Sequence, residues 1–434
     1  MTQDSSALNP TQRSRDLARM GEAPLDMLVI GGGVTGAGTA LDAATRGLNV
    51  GLVEQRDYAS GTSSRSSKMF HGGLRYLEQF NFGLVSEALQ ERNLMLKTIS
   101  PHLAKPISIV YPLKSRFWER LYVGTGVWIY DLMARTSSSP LPHHEHLSAA
   151  ELAELAPAID QTKTNGAIRY WDALVDDARH TLTVARTAAA HGASLATSAR
   201  AVHIDTTGSL PRAELVDLES GSHIGIEARV IVNATGVWSD DIQGLAGQSG
   251  LDVEASKGIH LVVPAEAIES ETGMILRTNA SVLFVIPWGD HWIIGTTDTP
   301  WSLGRAHPAA SRSDIAYLIE WVNTVLAHPI SERDIVGVYA GLRPLLTGES
   351  DETSKLSREH AVIDSGSGLI SVAGGKYTTY RVMAKDAVDA AAPYLSTSLP
   401  ESRTAALPLV GADTVRWVRG DPPPVDMDPT QRQR

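Results

Sequence analysis

The chain has 434 residues, of which 43% are apolar and 20% are charged, so it is long enough for two or three domains with buried cores. Its formal net charge of −11 argues against a nucleic-acid partner. The absence of cysteine from the sequence excludes disulfides, thiolate nucleophiles and thiolate metal ligands.

The first residues have the composition of a leader rather than of an export signal. Residues 1–24 are polar, carry both charge signs and lack the apolar centre of a signal peptide, so we predict a disordered leader. No run in the sequence reaches the roughly 18 uninterrupted apolar residues of a membrane span. We therefore expect a cytoplasmic protein, and peripheral attachment to a membrane stays open.

Residues 25–54 carry the clearest local pattern. The apolar run 27–30 predicts a buried parallel strand, and it is followed by glycines at G-x-G-x-x-G spacing, namely Gly31, Gly33 and Gly36. A second apolar strand, 49–53, ends at Glu54, close to the expected offset of about 20 residues.

This pattern supplies each part of a dinucleotide site. Gly31 permits a tight turn, Gly33 lets backbone N–H groups approach a pyrophosphate, and Gly36 lets the helix lie close to the sheet. The N-terminus of that helix favours an anion, and the Glu54 carboxylate can accept hydrogen bonds from ribose hydroxyls. The pattern alone does not separate NAD from FAD.

Two stretches that follow allow more than one interpretation. Residues 113–135 alternate basic and aromatic side chains, which suits packing in the core or between subunits, or a helix lying on an anionic bilayer. We expect packing. Residues 143–146 (His-His-Glu-His) contain side chains that can bind a metal ion. No second group of ligands stands at the spacing of a metal site, so we expect a solvated loop and no metal.

The middle of the chain predicts a second β-α-β unit. A helix over 178–191 is followed by a strand whose Ala201 and Val202 could lie under an adenine. The apolar strand after it ends in a small-residue turn that allows close backbone approach at a strand end, and this turn consists of Ala234, Thr235 and Gly236.

The later residues change from parallel to antiparallel character. Residues 251–300 alternate apolar and polar side chains around a turn at Gly289, which predicts a hairpin in a sheet that covers a substrate. Only one complete dinucleotide fingerprint is present, so nothing indicates a second site for NAD(P)H. A single cofactor that the substrate reduces directly suggests a flavin.

Several separated motifs point to one family. In chain order they are GGGVTGAG, VGLVEQRDYASGTSSRSSKMFHGGLRYLEQ, KGIHLVVP, IGTTDT, GLRPLL, LSREH and GGKYTTYR. This series resembles the FAD-dependent glycerol-3-phosphate dehydrogenase family, of the respiratory type. The resemblance runs from about residue 25 to about residue 390 and is specific, because the motifs agree in both identity and order.

The resemblance implies a fold of the α/β plus α+β class. It combines a Rossmann-like FAD-binding domain with an antiparallel-sheet substrate domain, as in flavoproteins related to D-amino-acid oxidase and glutathione reductase. The expected FAD-binding domain comprises 25–100, 165–245 and 335–395, and the expected substrate-binding domain comprises 101–164 and 246–334. Residues 396–434 are expected to form a short, largely disordered tail where the family has a helical domain, which would be truncated here.

The resemblance also implies an activity. The family oxidises sn-glycerol 3-phosphate to dihydroxyacetone phosphate by hydride transfer to FAD and passes the electrons to a membrane quinone as a peripheral membrane protein. A homodimer is compatible with this interpretation, and no nucleic acid is expected.

The candidate site residues follow from the same motifs. His260 would take the hydroxyl proton, since a histidine titrates near the working pH. Arginine and lysine suit the phosphate through bidentate and point-charge contacts, and Arg343 and Lys376 are also expected at the reacting centre. The expected substrate-binding residues are Arg75, Tyr76, Arg343, Arg358 and Lys376. The expected FAD-binding residues are Gly31, Gly33, Val34, Thr35, Gly36, Glu54, Gln55, Thr62, Ser63, Ser67, Lys68, His71, Gly73, Ala201, Val202, Ala234, Thr235, Gly236, Gly341, Gly375, Lys376, Tyr377 and Thr378.

Other functions remain compatible with the sequence. The same site could serve a glycerol-3-phosphate oxidase that uses oxygen, and the fold could serve an amine or amino-acid oxidase. A catalytically impaired, truncated flavoprotein would bind FAD that the substrate does not bleach. A nicotinamide-linked dehydrogenase would require activity only with added NAD(P).

Overall fold

The computed structural model describes residues 5–115, 117–136, 139–248, 253–279, 282–346, 360–396 and 398–412, without the side chains of residues 5, 75, 135 and 136. The α-helices are α1 Pro10–Glu22, α2 Val34–Thr45, α3 Phe82–Leu94, α4 Trp118–Thr136, α5 Ala149–Leu155, α6 Asp177–Ala190, α7 Ser239–Leu245, α8 Arg312–Asn323 and α9 Tyr380–Ala390. The strands of the first half are β1 Leu25–Ile30, β2 Val50–Val53, β3 Met69–Phe70, β4 Ala104–Pro112, β5 Glu145–Leu147, β6 Ala167–Val175, β7 Ser194–Ala196, β8 Ala199–Asp205 and β9 Arg212–Asp217. Those of the second half are β10 His223–Asn233, β11 Val253–Pro264, β12 Gly273–Arg277, β13 Val282–Trp288, β14 His291–Gly295, β15 Thr299–Pro300, β16 Gly337–Leu346, β17 His360–Asp364 and β18 Leu369–Gly374.

One sheet has the Rossmann-like arrangement. Within the described residues its strand order is β17-β18-β10-β1-β2-β7, and β8 and β9 extend it from β10. The strands from β18 to β7 are parallel, whereas β17 pairs antiparallel with β18. The central strands are apolar because both faces are covered: α2, α6 and α9 pack on one face, and α1 packs with β8 and β9 on the other. The predicted Rossmann-like half is thereby confirmed.

The second sheet is mostly antiparallel. In the described part of the chain its order is β15-β11-β14-β13-β12-β4-β6-β3, with β16 on β11 and β5 on β6. The predicted hairpin is present as β13 and β14, joined at Gly289, which has φ of +58°. Its core is separate from that of the first sheet and is covered by α8.

Three strands lie on a different sheet from the one expected. We expected β3, β6 and β16 within the FAD-binding domain, but all three belong to the second sheet, where β3 pairs with β6. β6 pairs with β4 along its full length, and β16 pairs with β11 from Gly337 to Leu346. Long antiparallel ladders between segments far apart in sequence decide this placement, and local patterns do not contain them.

The expected disordered leader is wrong for most of its length. Residues Pro10–Glu22 form α1, which Asn9 caps by accepting the N–H of Gln12. The polar residues of this helix are buried in long-range contacts: Arg13 forms an ion pair with Asp217 at 2.5 Å, and Asp16 accepts the N–H of Leu195 at 3.1 Å.

The expected tail is partly described. Residues 398–412 contain a short 3-10 turn, and Leu409 is buried beside it. Ser402 donates a hydrogen bond to the buried carboxylate of Asp42 on α2, which holds this segment against the first sheet's helical layer. Residues 397 and 413–434 lie outside the described residues.

Candidate active site

A cavity of about 310 Å³ opens at the carboxyl ends of β1, β2, β10 and β18. This edge of an open parallel sheet is where ligands of α/β proteins bind. Its wall contains predicted residues from six separate stretches, namely Gly31, Gly33, Val34, Thr35, Glu54, Gln55, Thr62, Ser63, Ala201, Ala234, Thr235, Gly236, Gly375, Lys376 and Tyr377. The structure thus gathers most of the expected cofactor residues around one space.

The glycines of the first turn are required by backbone geometry. Gly31 has φ of +114°, and a Cβ there would lie 2.6 Å from the carbonyl oxygen of Ala234. A Cβ on Gly36 would overlap the carbonyl oxygen of Gly31, so only glycine lets α2 start this close to β1. The N-terminus of α2 consequently faces the cavity, where its free N–H groups and dipole attract an anion.

Glu54 stands beside that turn at the end of β2. Its carboxylate accepts the N–H groups of Gly32 at 2.7 Å and of Arg56 at 2.8 Å. Burial raises the pKa of Glu54, although these two hydrogen bonds act in the opposite direction. The carboxylate is fixed at the cavity wall, as recognition of a ribose requires.

A second cavity, of about 230 Å³, lies between the two sheets. The two cavities adjoin, because several residues line both of them: Thr62, Ser66, Pro344, Gly375, Lys376 and Tyr377. The predicted residues that line only the smaller cavity are Ser67, His71, Gly73, Tyr76, His260, Gly341, Arg343 and Thr378. The expected substrate residues therefore meet beside the expected cofactor residues.

His260 on β11 is held in a defined orientation. Its ring stacks on Tyr339 of β16, with centroids 4.6 Å apart, and its Nε2 lies 2.9 Å from the Ser67 hydroxyl. Burial, reinforced by the charges of Arg343 and Lys68, lowers the pKa of His260 to about 3. The imidazole is therefore neutral at physiological pH, as a base must be, but the same burial and charges disfavour its protonated form, so its pKa lies below the working range expected from the sequence.

Arg343 follows two residues after Gly341 on the same face of β16, and Gly258 on β11 faces Gly341. A Cβ on Gly258 would lie 2.5 Å from Nη2 of Arg343, so this glycine gives the guanidinium room, whereas Gly341 faces Arg65. Arg343 donates to the carbonyl of Thr297 at 3.1 Å and to the hydroxyl of Thr296 at 3.0 Å. These contacts orient a permanent cation at the cavity wall.

Lys376 supplies a second cation between the cavities. It precedes the 3-10 turn Tyr377–Thr379, and its Nζ is buried 3.7 Å from the ring centroid of Tyr76. An aromatic face stabilises an ammonium group without neutralising its charge. Lys376 and Arg343 both line the smaller cavity, and Arg343 also lies 3.6 Å from the Asp298 carboxylate.

Lys68 does not take the place expected for it. Its ammonium forms a 2.6 Å ion pair with the fully buried Asp177, and it lines neither cavity. The same carboxylate accepts the N–H and hydroxyl of Ser66. The buried charge of Asp177 holds the lysine, so Lys68 fixes the loop after β2 instead of lining the cofactor space.

The remaining predicted residues divide into two groups. Gly36 lies under the cavity wall and Val202 lies on β8, and neither lines a cavity. For Arg75 only the backbone is described, within the 3-10 turn Leu74–Leu77, and Arg358 lies outside the described residues.

The histidine cluster at 143–146 is only partly the loop that we expected, because Glu145 and His146 begin β5. His144 Nδ1 lies 2.7 Å from the Asp131 carboxylate of α4. Within the described residues no group of three or more His, Asp or Glu side chains is arranged to hold a metal ion.

Comparison with known proteins agrees with this geometry. The family of FAD dependent oxidoreductases matches residues 26–381. A glycerol-3-phosphate dehydrogenase of Mycobacterium leprae is 55% identical over 414 residues, which are 95% of this chain and 70% of that protein. The chain belongs to the FAD-dependent glycerol-3-phosphate dehydrogenase family. The human mitochondrial glycerol-3-phosphate dehydrogenase is 37% identical over 93% of this chain and 57% of its own length.

A solved structure supports the family assignment. The glycerol-3-phosphate dehydrogenase of Bacillus halodurans, solved in complex with FAD, superposes with a TM-score of 0.75 at 30% identity, over 92% of this chain and 71% of that one. An L-alpha-glycerophosphate oxidase of Mycoplasma pneumoniae has a TM-score of 0.67 at 16% identity, over 91% of this chain and all of that one, and this likeness concerns the fold alone.

FAD is the cofactor of this family, and the larger cavity fits it. The fit rests on the glycine turn that a Cβ would block, on the helix N-terminus and on the fixed Glu54 carboxylate. We did not predict Arg56, Arg200 and Trp238 in its wall. Arg56 stacks on Trp238 at 5.0 Å, a long-range contact that the sequence does not indicate.

The smaller cavity also contains residues that the sequence reasoning missed. Among them are Asp298, Phe284 and Gly258. A signal did exist for two of these: Asp298 belongs to the IGTTDT motif, and Gly258 precedes His260 by two residues on a strand, so both point to the same face.

Proposed function

We propose that this protein oxidises sn-glycerol 3-phosphate to dihydroxyacetone phosphate, reducing FAD, and that a membrane quinone then accepts the electrons. The observation that carries the proposal is the convergence of His260, Arg343 and Lys376 on one cavity that adjoins the dinucleotide cavity. The names of the relatives support the same substrate.

The substrate phosphate is assigned to the cationic residues. Arg343 offers paired N–H donors and Lys376 offers a point charge, and both suit a phosphate dianion. Binding energy from this remote group can orient the carbon that reacts. We propose the same contact for Arg75 and Arg358, on the basis of the family resemblance alone.

His260 is assigned to the hydroxyl proton. Oxidation of a secondary alcohol requires loss of that proton as the carbon gives up its hydride, and bound FAD supplies the hydride acceptor. The neutral imidazole is assigned the proton although burial disfavours its charged form, while the hydrogen bond to Ser67 and the stacking on Tyr339 hold the ring in place. Water is limited at this position, because His260 is only 2% exposed.

The residues proposed to hold FAD come from both cavities. The α2 turn, Ser63 and Glu54 are assigned to its nucleotide half. The Ser63 hydroxyl is held beside the α2 turn, because it accepts a hydrogen bond from the Val34 N–H at 2.9 Å. Thr62, Gly341, Gly375 and Tyr377, which lie at or near the boundary of the two cavities, are assigned to the flavin.

Access to a quinone requires contact with a membrane. Among the described residues no helix is long and apolar enough to cross a bilayer. One face of α4 instead exposes apolar and aromatic side chains at helical spacing: Trp118, Leu121, Tyr122, Trp128 and Leu132. Trp118 is 74% exposed, and the neighbouring Phe117 is 73% exposed.

We propose that this face of α4 contacts the bilayer interface at the cytoplasmic side, since tryptophan and tyrosine favour that environment. We expected core or subunit packing for this segment, and the exposed fractions show that packing within the chain does not cover this face. Sedimentation with phospholipid vesicles tests the contact: the double variant Trp118→Ser with Tyr122→Ser should bind less, whereas Leu218→Ser, at an exposed position in the turn after β9, should bind as the parent does. Equal vesicle binding by the double variant and by the Leu218→Ser control would contradict the proposed membrane contact.

The activity is tested by adding glycerol 3-phosphate anaerobically to the purified yellow protein and following flavin absorbance. We expect bleaching, and we expect reoxidation by a soluble quinone analogue to be faster than reoxidation by oxygen. Flavin that stays oxidised with glycerol 3-phosphate but bleaches with glycine, sarcosine or a D-amino acid would contradict the proposed substrate. Faster reoxidation by oxygen would contradict the proposed acceptor.

A further inference from the structure

Residues 299–311, which we call the strap, begin and end on the second sheet. At the start, β15 pairs with Ser256 and Lys257 of β11. At the end, Ser311 caps α8 through Asp314, and the buried Lys257 reaches both the Asp314 carboxylate at 2.6 Å and the Ala309 carbonyl at 3.3 Å. Both ends are therefore tied to one strand of the substrate half.

The middle of the strap leaves that sheet and contacts the cofactor half. Arg305 donates to both carboxylate oxygens of Asp240 on α7, at 2.6 and 2.7 Å, and to Asp241 at 3.3 Å. Burial alone would raise the pKa of Asp240, but the hydrogen bonds and charge of Arg305 bring it below its usual value. The pair is therefore ionised on both sides at neutral pH.

The next residue of the strap contacts the loop that follows β2. The carbonyl oxygen of Ala306 lies 3.5 Å from Nη1 of Arg56 and 3.4 Å from Nη1 of Arg65. Arg56 lines the larger cavity and Arg65 lines the smaller one. The strap itself lines neither, so it acts on the cavities only through the residues that it touches.

Asp241 adds a third connection of this kind, because it also lines the larger cavity. The strap thus touches the cofactor cavity wall on two sides, at Arg56 and at α7. Opening the wall between these two points requires the strap to detach. In the described residues, the tightest of its contacts with the cofactor half is the bidentate pair of Arg305 with Asp240.

We propose that the strap fastens the rim of the larger cavity and that the Arg305–Asp240 pair is the clasp that slows release of FAD. Arg305 is in this sense a cofactor-retention residue that contacts neither the cofactor nor the substrate. The inference rests on the proposed binding of FAD in the larger cavity.

The expected effect is moderate, since the side chains of Arg305 and Asp240 are 26% and 32% exposed. Partly exposed ion pairs contribute little individually, and bidentate geometry brings them to the upper end of the range. Loss of the pair should therefore accelerate FAD release about fivefold. Salt of about 1 M should accelerate release from the wild-type protein and have less effect on a variant without the pair.

The experiment uses the purified, FAD-loaded full chain, diluted into buffer without flavin, and records the rate at which free FAD appears. Arg305→Leu and Asp240→Asn remove the clasp, and the double variant Arg305→Asp with Asp240→Arg exchanges its charges. Arg229→Leu is the matched control, because Arg229 pairs with Asp26 at 3.3 Å on the same sheet but at the amino ends of its parallel strands.

We expect faster release from both single variants and recovery in the charge-exchanged protein, with the control unchanged. Release at the wild-type rate from all variants would overturn the clasp while leaving the cofactor site intact. Faster release from the control as well would also overturn it, since the effect would then be unspecific. A wild-type protein that binds no FAD would contradict the cofactor site itself and the clasp with it.

Discussion

The two cavities share part of their wall, but different structural features determine them. The larger one owes its position to backbone geometry at the ends of parallel strands, where a Cβ on Gly31 or Gly36 would meet neighbouring backbone, although charged and aromatic side chains also line it. The smaller one is formed by charged and aromatic side chains that antiparallel strands bring together. The comparison suggests that backbone shape determines where the cofactor binds, whereas side chains determine which reaction follows.

Replacement of His260 by alanine should have the largest effect on the rate of flavin reduction. It should separate the reaction, which depends on the smaller cavity, from FAD binding. Loss of the base is expected to slow anaerobic flavin reduction by about 10²- to 10⁴-fold. The protein should still purify with its FAD, because His260 lines only the smaller cavity. Stopped-flow absorbance measures the rate, and reduction at the parent rate would remove His260 from the proposed role.

Replacement of Gly36 by alanine tests the other side of the comparison. The new Cβ would overlap the Gly31 carbonyl oxygen, so the turn must shift, at a cost of about 3 kcal/mol in folding free energy. We expect loss of bound FAD and a lower Tm. Gly126→Ala is the control, since a Cβ there meets nothing within 4 Å. Full flavin content in Gly36→Ala would show that the backbone is less decisive than proposed.

Arg343→Ala should mainly weaken capture of the substrate. Losing a charge-assisted contact to the phosphate is expected to raise the apparent substrate Kd roughly 30-fold, with a smaller change in the limiting reduction rate. Arg343→Lys should recover only part of the affinity, because an ammonium cannot donate in bidentate fashion. An unchanged Kd for both variants would move the phosphate to other residues.

The pH dependence of stability probes the wall between the cavities. His180 is fully buried against Phe70, its Nδ1 lies 3.0 Å from the hydroxyl of Tyr377, and burial lowers its pKa to about 3. The unfolded chain binds the proton near pH 6.5 and the folded chain only near pH 3, so stability is lost as the pH falls through this window.

For one such histidine, lowering the pH from 7 to 5 should cost about 2 kcal/mol of unfolding free energy. His180→Gln should reduce that loss, as measured by urea denaturation at both pH values. The exposed His223→Gln should behave as the parent does, since its ring is largely in solvent. The same pH dependence in all three proteins would refute the assignment.

The two halves also differ in how far the sequence predicted them. The glycine turn and Glu54 lie within 30 residues of each other, so their spacing alone placed them correctly at the larger cavity. His260 and Arg343 meet only because β11 pairs with β16, and that pairing is not visible in either segment. Their assignment needed the family resemblance.

The errors have the same physical origin. Residues 1–24 look disordered because they are polar, but Arg13 finds a buried carboxylate about 200 residues away, at Asp217. Lys68 sits in a motif that suggested a flavin contact, and the buried charge of Asp177 holds it elsewhere. Burying a polar side chain is unfavourable unless it has a hydrogen-bond or ion-pair partner. In both cases the partner is distant in sequence and is brought close only by the tertiary structure.

Ser67→Ala should have the smallest effect. It tests whether Ser67 only positions the His260 ring or takes part in the proton transfer. The Ser67 hydroxyl lies 2.9 Å from His260 Nε2, while stacking on Tyr339 holds the ring independently. Loss of one hydrogen bond of about 1 kcal/mol should slow flavin reduction about fivefold, with FAD content unchanged. Ser67→Thr, which keeps a hydroxyl, should recover most of the rate. If Ser67→Ala reduced the flavin as slowly as His260→Ala, Ser67 would take part in the proton transfer itself. The reaction in the smaller cavity would then depend on loop residues as strongly as on strand residues.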